Sequence, residues 1–170
     1  MNFRYEDAKL SVKVLVTFFL LMVGIGYIFG LINIYNNTGL SYTGLVVHYR
    51  GQAGEIPPEF AFTKLIHEHH VHLFSLAMLF FLVGALFLLT NLPDPVKAIF
   101  MAAPFLGMLI DFTSFWLFVF TKAAFAWLSI VFGAFMAISF FFLIGRPLYE
   151  MWVLPVWKHL WGENIPRLLR

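Results

Sequence analysis

The chain has 170 residues, of which 61% are hydrophobic and 12% are charged, and it contains no cysteine. These fractions exclude an ordinary soluble domain, in which roughly 45–50% of residues are apolar and about a quarter are charged. Without cysteine, disulfides, thiolate metal sites, iron–sulfur clusters and covalent c-type haem attachment are also excluded. The net charge of +2 gives no reason to expect nucleic acid as a partner. The composition therefore predicts an integral protein in contact with the lipid bilayer.

Four apolar stretches are long enough to cross a bilayer, at about residues 14–35, 62–89, 96–120 and 123–145. Roughly 20 mostly apolar residues suffice for a hydrocarbon core about 30 Å thick. The connection "FTKAAF" at residues 120–125 is so short that the third and fourth spans must be antiparallel neighbours. We therefore predict an all-α membrane protein, a multi-pass four-transmembrane-helix bundle in which residues 1–170 form one integral membrane domain.

Two segments outside the spans have a distinctive composition. Residues 36–59 form a long loop rich in glycine, asparagine and proline, and loops of this length in compact domains usually serve a function. The C-terminal tail, residues 147–170, mixes tryptophan with basic residues. That mixture predicts an amphipathic tail at the membrane interface.

The basic residues predict the orientation of the bundle. If the N-terminus is cytoplasmic, eight lysines and arginines lie inside and three lie outside. The inside set is Arg4, Lys9, Lys13, Lys97, Arg146, Lys158, Arg167 and Arg170, and the outside set is Arg50, Lys64 and Lys122. Because cytoplasmic loops carry an excess of Lys and Arg, the sequence predicts an N-in/C-in topology with the long loop outside.

Histidines cluster near the start of the second span, in the stretch "LIHEHHVHLF" at residues 65–74. At about 100° per residue, His67 and His70 share one face of a helix and His69 and His72 share another. Ionisable residues inside a span are costly and normally face a bundle interior or a polar partner. We therefore predict a functional site near the outer membrane face, with His70 and His72 as its deepest members.

Asp111 is the only acidic residue deep within a predicted span. Counted from the outer face, it reaches about the same depth as His70 and His72. An isolated charge at this depth costs about 2.5–3.5 kcal/mol on insertion scales, so the carboxylate needs a partner. We predict that Asp111 lies within hydrogen-bonding reach of His70 or His72.

The long loop carries the further candidates His48 and Arg50, in the stretch "HYRG". The loop could fold back over the bundle and bring His48 to the second span. Two axial imidazoles of a b-type haem must come from different backbone elements on opposite sides of the iron. His48 together with His70 or His72 meets that requirement, and Arg50 could pair with a haem propionate.

Several segments together resemble a family of small four-helix bacterial membrane proteins associated with respiratory multihaem c-type cytochromes and quinone-linked electron transfer. They are "GYIFGLINIY", "GLVVHYRG", "HVHLFSLAMLFFLVGALF", "PFLGMLIDFTSFWL" and "PLYEMW", and the resemblance covers about residues 20–152. Its most specific parts are residues 48–51, residues 70–74 and Asp111. The resemblance implies the bacterial inner (cytoplasmic) membrane, a respiratory setting, and c-type cytochromes or other membrane subunits as partners.

The leading functional hypothesis is a membrane subunit of an electron-transfer complex. Its outer-face site would bind b-type haem, quinol or both through His48, Arg50, His70 and His72. Quinol oxidation needs a base for the departing proton, and His70 beside Asp111 could act catalytically in that role.

Two alternatives remain open from the sequence. In the first, His48, His70, His72 and Asp111 hold a non-haem zinc, copper or iron ion, with His48 and His72 as the principal ligands, since imidazole and carboxylate suit all three metals. In the second, the chain is a structural anchor for cytochromes and its histidines are merely interfacial residues.

Overall fold

A computed structural model describes residues 4–52 and 55–161, and helices dominate both ranges. The α-helices are α1 (Leu10–Thr38), α2 (Tyr42–Arg50), α3 (Pro58–Phe87), α4 (Asp94–Phe120), α5 (Ala126–Leu148) and α6 (Leu154–Trp161). Short 3₁₀ turns occupy Tyr5–Asp7 and Ala123–Phe125, and a π-helical turn at Tyr149–Val153 joins α5 to α6. Neither described range contains a β-strand, so the all-α prediction is confirmed.

Four helical segments are long and apolar enough to cross a membrane. They are α1, α3, α4 and the continuous helical run Ala123–Leu160. Each contains most of one predicted span, so the four-transmembrane-helix bundle is confirmed. The protein is a multi-pass membrane protein whose spans contact the lipid bilayer.

The helices α4 and α5 form the central antiparallel pair, as the short connection between them predicts. At Gly107 of α4, a Cβ atom would lie 3.0 Å from Cβ of Met136 on α5, so the two helices approach closely at this glycine. Helix α3 packs against both central helices, whereas α1 packs mainly against α2 and α5. The end of the bundle that carries α2 is called the α2 end below, and the opposite end the terminal end.

The predicted long loop contains helix α2, which lies against the ends of α4 and α5. Helix α1 stops at Gly39 and Leu40, both with positive φ, and Ser41 caps α2 by accepting a hydrogen bond from the Gly44 backbone N–H at 3.1 Å. A Cβ atom at Gly44 would lie 1.9 Å from the carbonyl oxygen of Thr38, so this tight turn requires glycine. The turn directs α2 back over the bundle.

The start of the predicted interfacial tail, residues 147–170, lies inside the bundle at the terminal end. Glu150 and Met151 are buried there, at 0% and 1% exposure. Both carboxylate oxygens of Glu150 accept the Asn91 backbone N–H at 3.0 Å, and Oε1 also accepts Arg146 Nε–H at 2.7 Å. These two residues of the predicted tail are therefore packed against the bundle, and the pairing of Glu150 lets a charged residue sit within the core. Residues 162–170 of the predicted tail lie outside the described ranges.

Candidate functional site

Two side-chain contacts join α2 to α3 at the α2 end. The hydroxyl of Tyr49 donates to Oε2 of Glu68 at 2.7 Å, and Nζ of Lys64 lies 2.6 Å from Nε2 of His48. Lys64 also lies 4.4 Å above the ring of Tyr49. Lys64 and Glu68 are four residues apart on α3, yet each bonds to α2. The loop thus folds back and brings His48 to the second span, as the sequence predicts.

The contacts at the α2 end determine the protonation of the α2 side chains. A lysine ammonium only donates, so Nε2 of His48 accepts and the proton of the neutral ring is on Nδ1. Burial and the positive charge of Lys64 lower the pKa of His48, against the opposing effect of Glu68. Burial and the hydrogen bond to Glu68 raise the pKa of Tyr49. The side chains of His48 and Tyr49 are therefore both neutral at pH 7.

Arg50, the predicted partner of a haem propionate, contacts the end of α4. Its Nη1 donates to the backbone carbonyl of Phe118 at 3.2 Å, which satisfies one of the unpaired carbonyls at the end of α4. Beside it, an open cleft of about 240 Å³ lies between α2 and the nearby ends of α3 and α4. The cleft is lined by Tyr49, Arg50, Ile56, Pro58, Ala61, Val119 and Phe120.

His69 is the histidine of the cluster that packs between α3 and α4. Nε1–H of Trp116 donates to its Nδ1 at 2.9 Å, and its ring stacks on Phe112 with centroids 4.4 Å apart. Because an indole N–H only donates, the proton of neutral His69 must be on Nε2. Sequence reasoning favoured His70 and His72 over His69. The pair of aromatic residues four apart on the third span, Phe112 and Trp116, is the signal that could have indicated His69.

The stretch of α3 that contains His70 and His72 is exposed on every side. Residues 70–75 are all exposed, and a helix completes a turn in about 3.6 residues. Residues 32–37 of α1 are exposed in the same way. Since α1 packs mainly against α2 and α5, the half of the bundle nearer the α2 end is open beside α1 and α3.

His72 lies on the face of α3 that packs against the bundle near both ends of the helix, yet its own side chain is exposed. It follows Leu65 by seven residues and precedes Val83 by eleven, and both of these residues are fully buried. Residues at these spacings share one face of a helix, so His72 belongs to the stripe that packs inward at either end of α3. His72 is nevertheless exposed. His70 is exposed on the far side of α3, where its ring meets the edge of Phe74.

Asp111 faces α5 and not the histidines. It is 8% exposed, its Oδ1 accepts the hydroxyl proton of Ser129, and a Cβ atom at Gly133 would lie 3.9 Å from the same oxygen. The predicted hydrogen bond to His70 or His72 is therefore wrong. The expected depth is nonetheless supported, since the neighbouring residue Phe112 stacks on His69. The rotation of α4 turns the carboxylate toward the small residues of α5.

The four residues proposed as metal ligands do not converge. His48 contacts Lys64, Asp111 contacts Ser129, and His70 and His72 are exposed on α3. Across residues 4–52 and 55–161, no group of three or more His, Asp or Glu side chains is placed to hold a metal ion.

Residues 39–156 match the family model Aq_1264_TM, which describes a transmembrane helical domain. The chain belongs to this family. In this Aq_1264_TM protein the matched region runs from the turn before α2 into α6, and so includes every contact described above between α2, α3 and α4. No curated protein and no solved structure is significantly similar to the chain.

Proposed function

We propose that this Aq_1264_TM protein is a membrane subunit of an electron-transfer complex, and that a quinol from the bilayer binds beside His72. The observation that carries the proposal is the exposure of this imidazole at an inward position of a membrane-spanning helix. His72 lies near the middle of α3, fourteen residues after Pro58 and fifteen before Phe87. Ionisable groups at such a depth normally face protein or a polar ligand, so a bound group that hydrogen-bonds to His72 is favoured over hydrocarbon.

The surroundings of His72 suit the two parts of a quinol. The open half of the bundle gives a bilayer-dissolved molecule lateral access without passage through water. The exposed apolar side chains Val71, Leu73 and Phe74, which adjoin His72 along α3, offer a surface for a long apolar tail. An imidazole is the side chain best suited to exchange a proton with a ring hydroxyl near neutral pH.

In the proposed reaction, the imidazole of His72 accepts the protons of the quinol. Oxidation of a quinol releases two protons and two electrons. Neutral His72 accepts one proton as the ring O–H bond breaks, passes it on, and accepts the second in the same way. The two electrons leave singly to one-electron carriers, namely the haems of c-type cytochrome partners that the sequence resemblance implies. Asp111 takes no part in this step, since its carboxylate bonds to Ser129 of α5.

A b-type haem held within one chain by His48 and His72 does not fit this arrangement. Nε2 of His48, the nitrogen expected to bind iron, accepts a bond from Lys64. A second candidate function is the binding of a haem that is shared with a partner subunit. His70 could supply one axial ligand to such a haem, because it is exposed on the side of α3 away from His72. A reduced-minus-oxidised spectrum of the purified complex tests this. His70→Ala should remove the haem bands, and an unchanged spectrum would exclude His70 as a ligand.

Binding of a short-tailed quinone, decylubiquinone, to the protein in lipid nanodiscs tests the quinol proposal. The matched variants are His72→Leu and His67→Leu, which make the same substitution at two exposed positions of α3. We expect His72→Leu to weaken binding at least tenfold in equilibrium dialysis and His67→Leu to leave it unchanged. Equal binding by the wild type and His72→Leu would overturn the proposal.

A further inference from the structure

Titratable side chains continue from His72 toward the α2 end along one stripe of α3. Glu68 precedes His72 by four residues and Lys64 precedes Glu68 by four, so the three side chains lie above one another on the helix. The rise from His72 to Lys64 is about 12 Å. The stripe ends at α2, where Glu68 bonds to Tyr49 and Lys64 contacts His48.

We propose that His72, Glu68 and Tyr49 form a proton path between the membrane interior and the cleft at the α2 end. The inference rests on the proposed function only for the source of the protons, a quinol at His72. The geometry that supports the path does not depend on the quinol. Glu68 lies four residues from the exposed imidazole of His72 on a membrane-spanning helix, and its carboxylate is hydrogen-bonded to the phenol of Tyr49, which lines the cleft.

The path consists of two steps, and one proton moves from each donor to each acceptor. Protonated His72 gives its proton to the Glu68 carboxylate, which leaves both side chains neutral. Side chains four apart on a helix have Cβ atoms about 5–6 Å apart, a gap that a side-chain rotation or one water molecule closes. The Glu68 carboxyl then donates to the Tyr49 oxygen as the Tyr49 hydroxyl proton passes to water in the cleft. Restoring the Tyr49–Glu68 bond resets the path.

His69 adjoins this path but does not carry protons along it. Its Nδ1 accepts the Trp116 indole N–H, so a proton arriving at that nitrogen would break the bond. Stacking on Phe112 further holds the ring in place. His69 is therefore a positioning residue that holds α3 against α4 beside Glu68.

Time-resolved proton release during quinol oxidation, followed with a pH dye, is the first test. The variants are Glu68→Gln, which keeps the side-chain shape but cannot take up a proton, and Tyr49→Phe, which keeps the ring contacts with Phe115 and Phe118. We expect proton release to slow at least tenfold in each, with decylubiquinone binding unchanged. The control is Glu59→Gln, an exposed glutamate in the first turn of the same helix, which should behave as the wild type. Wild-type release rates in both path variants would overturn the path and leave the quinol site standing.

A second measurement does not depend on quinol. Protein with ¹³C-labelled histidine rings is placed in nanodiscs and subjected to a sudden pH drop. Infrared bands of the labelled ring report the protonation of His72. The bands that belong to His72 are identified by their absence in His72→Ala. We expect His72 to protonate at least tenfold more slowly in Glu68→Gln than in the wild type or in Glu59→Gln. Equal rates would overturn the path even if decylubiquinone binds as proposed. Failure of decylubiquinone to bind would overturn the proposed quinol site but not the proton path.

Discussion

The Nζ atom of Lys64 lies 2.6 Å from Nε2 of His48, and this contact attaches α2 to the second transmembrane helix. The contact needs a neutral imidazole, because two positive groups at this distance would repel. Burial and Lys64 accordingly lower the pKa of His48. The attachment of α2 is therefore sensitive to pH.

We expect the protein to lose stability as the pH falls below about 6.5, the usual pKa of histidine. The pKa of His48 is lower in the folded protein than in the unfolded chain, so below this pH the unfolded chain binds more protons and stability decreases. His48→Gln keeps an acceptor for Lys64 but does not titrate, so its loss between pH 7.5 and pH 5.5 should be smaller. Thermal unfolding in detergent at the two pH values checks this. Equal losses in the wild type and the variant would assign the pH effect to other groups.

Asp111→Asn should unfold close to the wild-type temperature, because the asparagine oxygen can still accept the Ser129 hydroxyl. Asp111→Ala leaves that buried hydroxyl without its acceptor, and we expect a free-energy loss of about 1–3 kcal/mol. Unfolding of the purified variants in mixed micelles measures both. If Asn destabilises as much as Ala, the carboxylate charge itself must be required. Decylubiquinone binding should be unaffected in either variant, since Asp111 faces α5.

Glu150→Ala should be among the most damaging single changes at the terminal end. The carboxylate is fully buried and accepts hydrogen bonds from both Asn91 N–H and Arg146. Removing one partner of a buried ion pair costs about 3–5 kcal/mol. Glu55→Ala provides the control, because Glu55 is exposed, and should change the unfolding free energy little. A loss at Glu150 no larger than at Glu55 would contradict the structural role of the buried pair.

The predicted orientation can be tested with single cysteines, which the natural chain lacks. Glu55 lies at the α2 end and Asp94 at the terminal end, and both are exposed. With an N-in/C-in topology, Glu55→Cys should react with a membrane-impermeant maleimide in intact cells. Asp94→Cys should react only after permeabilisation. The reverse pattern would place the α2 end, and the cleft at Tyr49, on the cytoplasmic side.

The sequence alone determined the number of spans and the connections between them. Residues 120–125 leave too little chain for anything but an antiparallel α4–α5 pair, and the glycine-rich loop does return to the bundle with His48. These features follow from local properties, namely the length of apolar runs and the turn chemistry between them. Depth along each helix followed as well, because residue counting measures it directly, and Asp111 does lie at the level of the histidine cluster.

Only the tertiary structure decided which face of each helix turns inward. In a soluble helix the apolar stripe reveals that face, but here nearly every side of a span is apolar, since lipid and core favour the same residues. The spacing of the histidines therefore divided them into two faces without showing that His69 meets Trp116 while His72 stays uncovered. Likewise, Asp111 bonds to Ser129 because the packing of α4 on the small residues of α5 fixes its rotation, a contact between distant parts of the chain that no local pattern specifies.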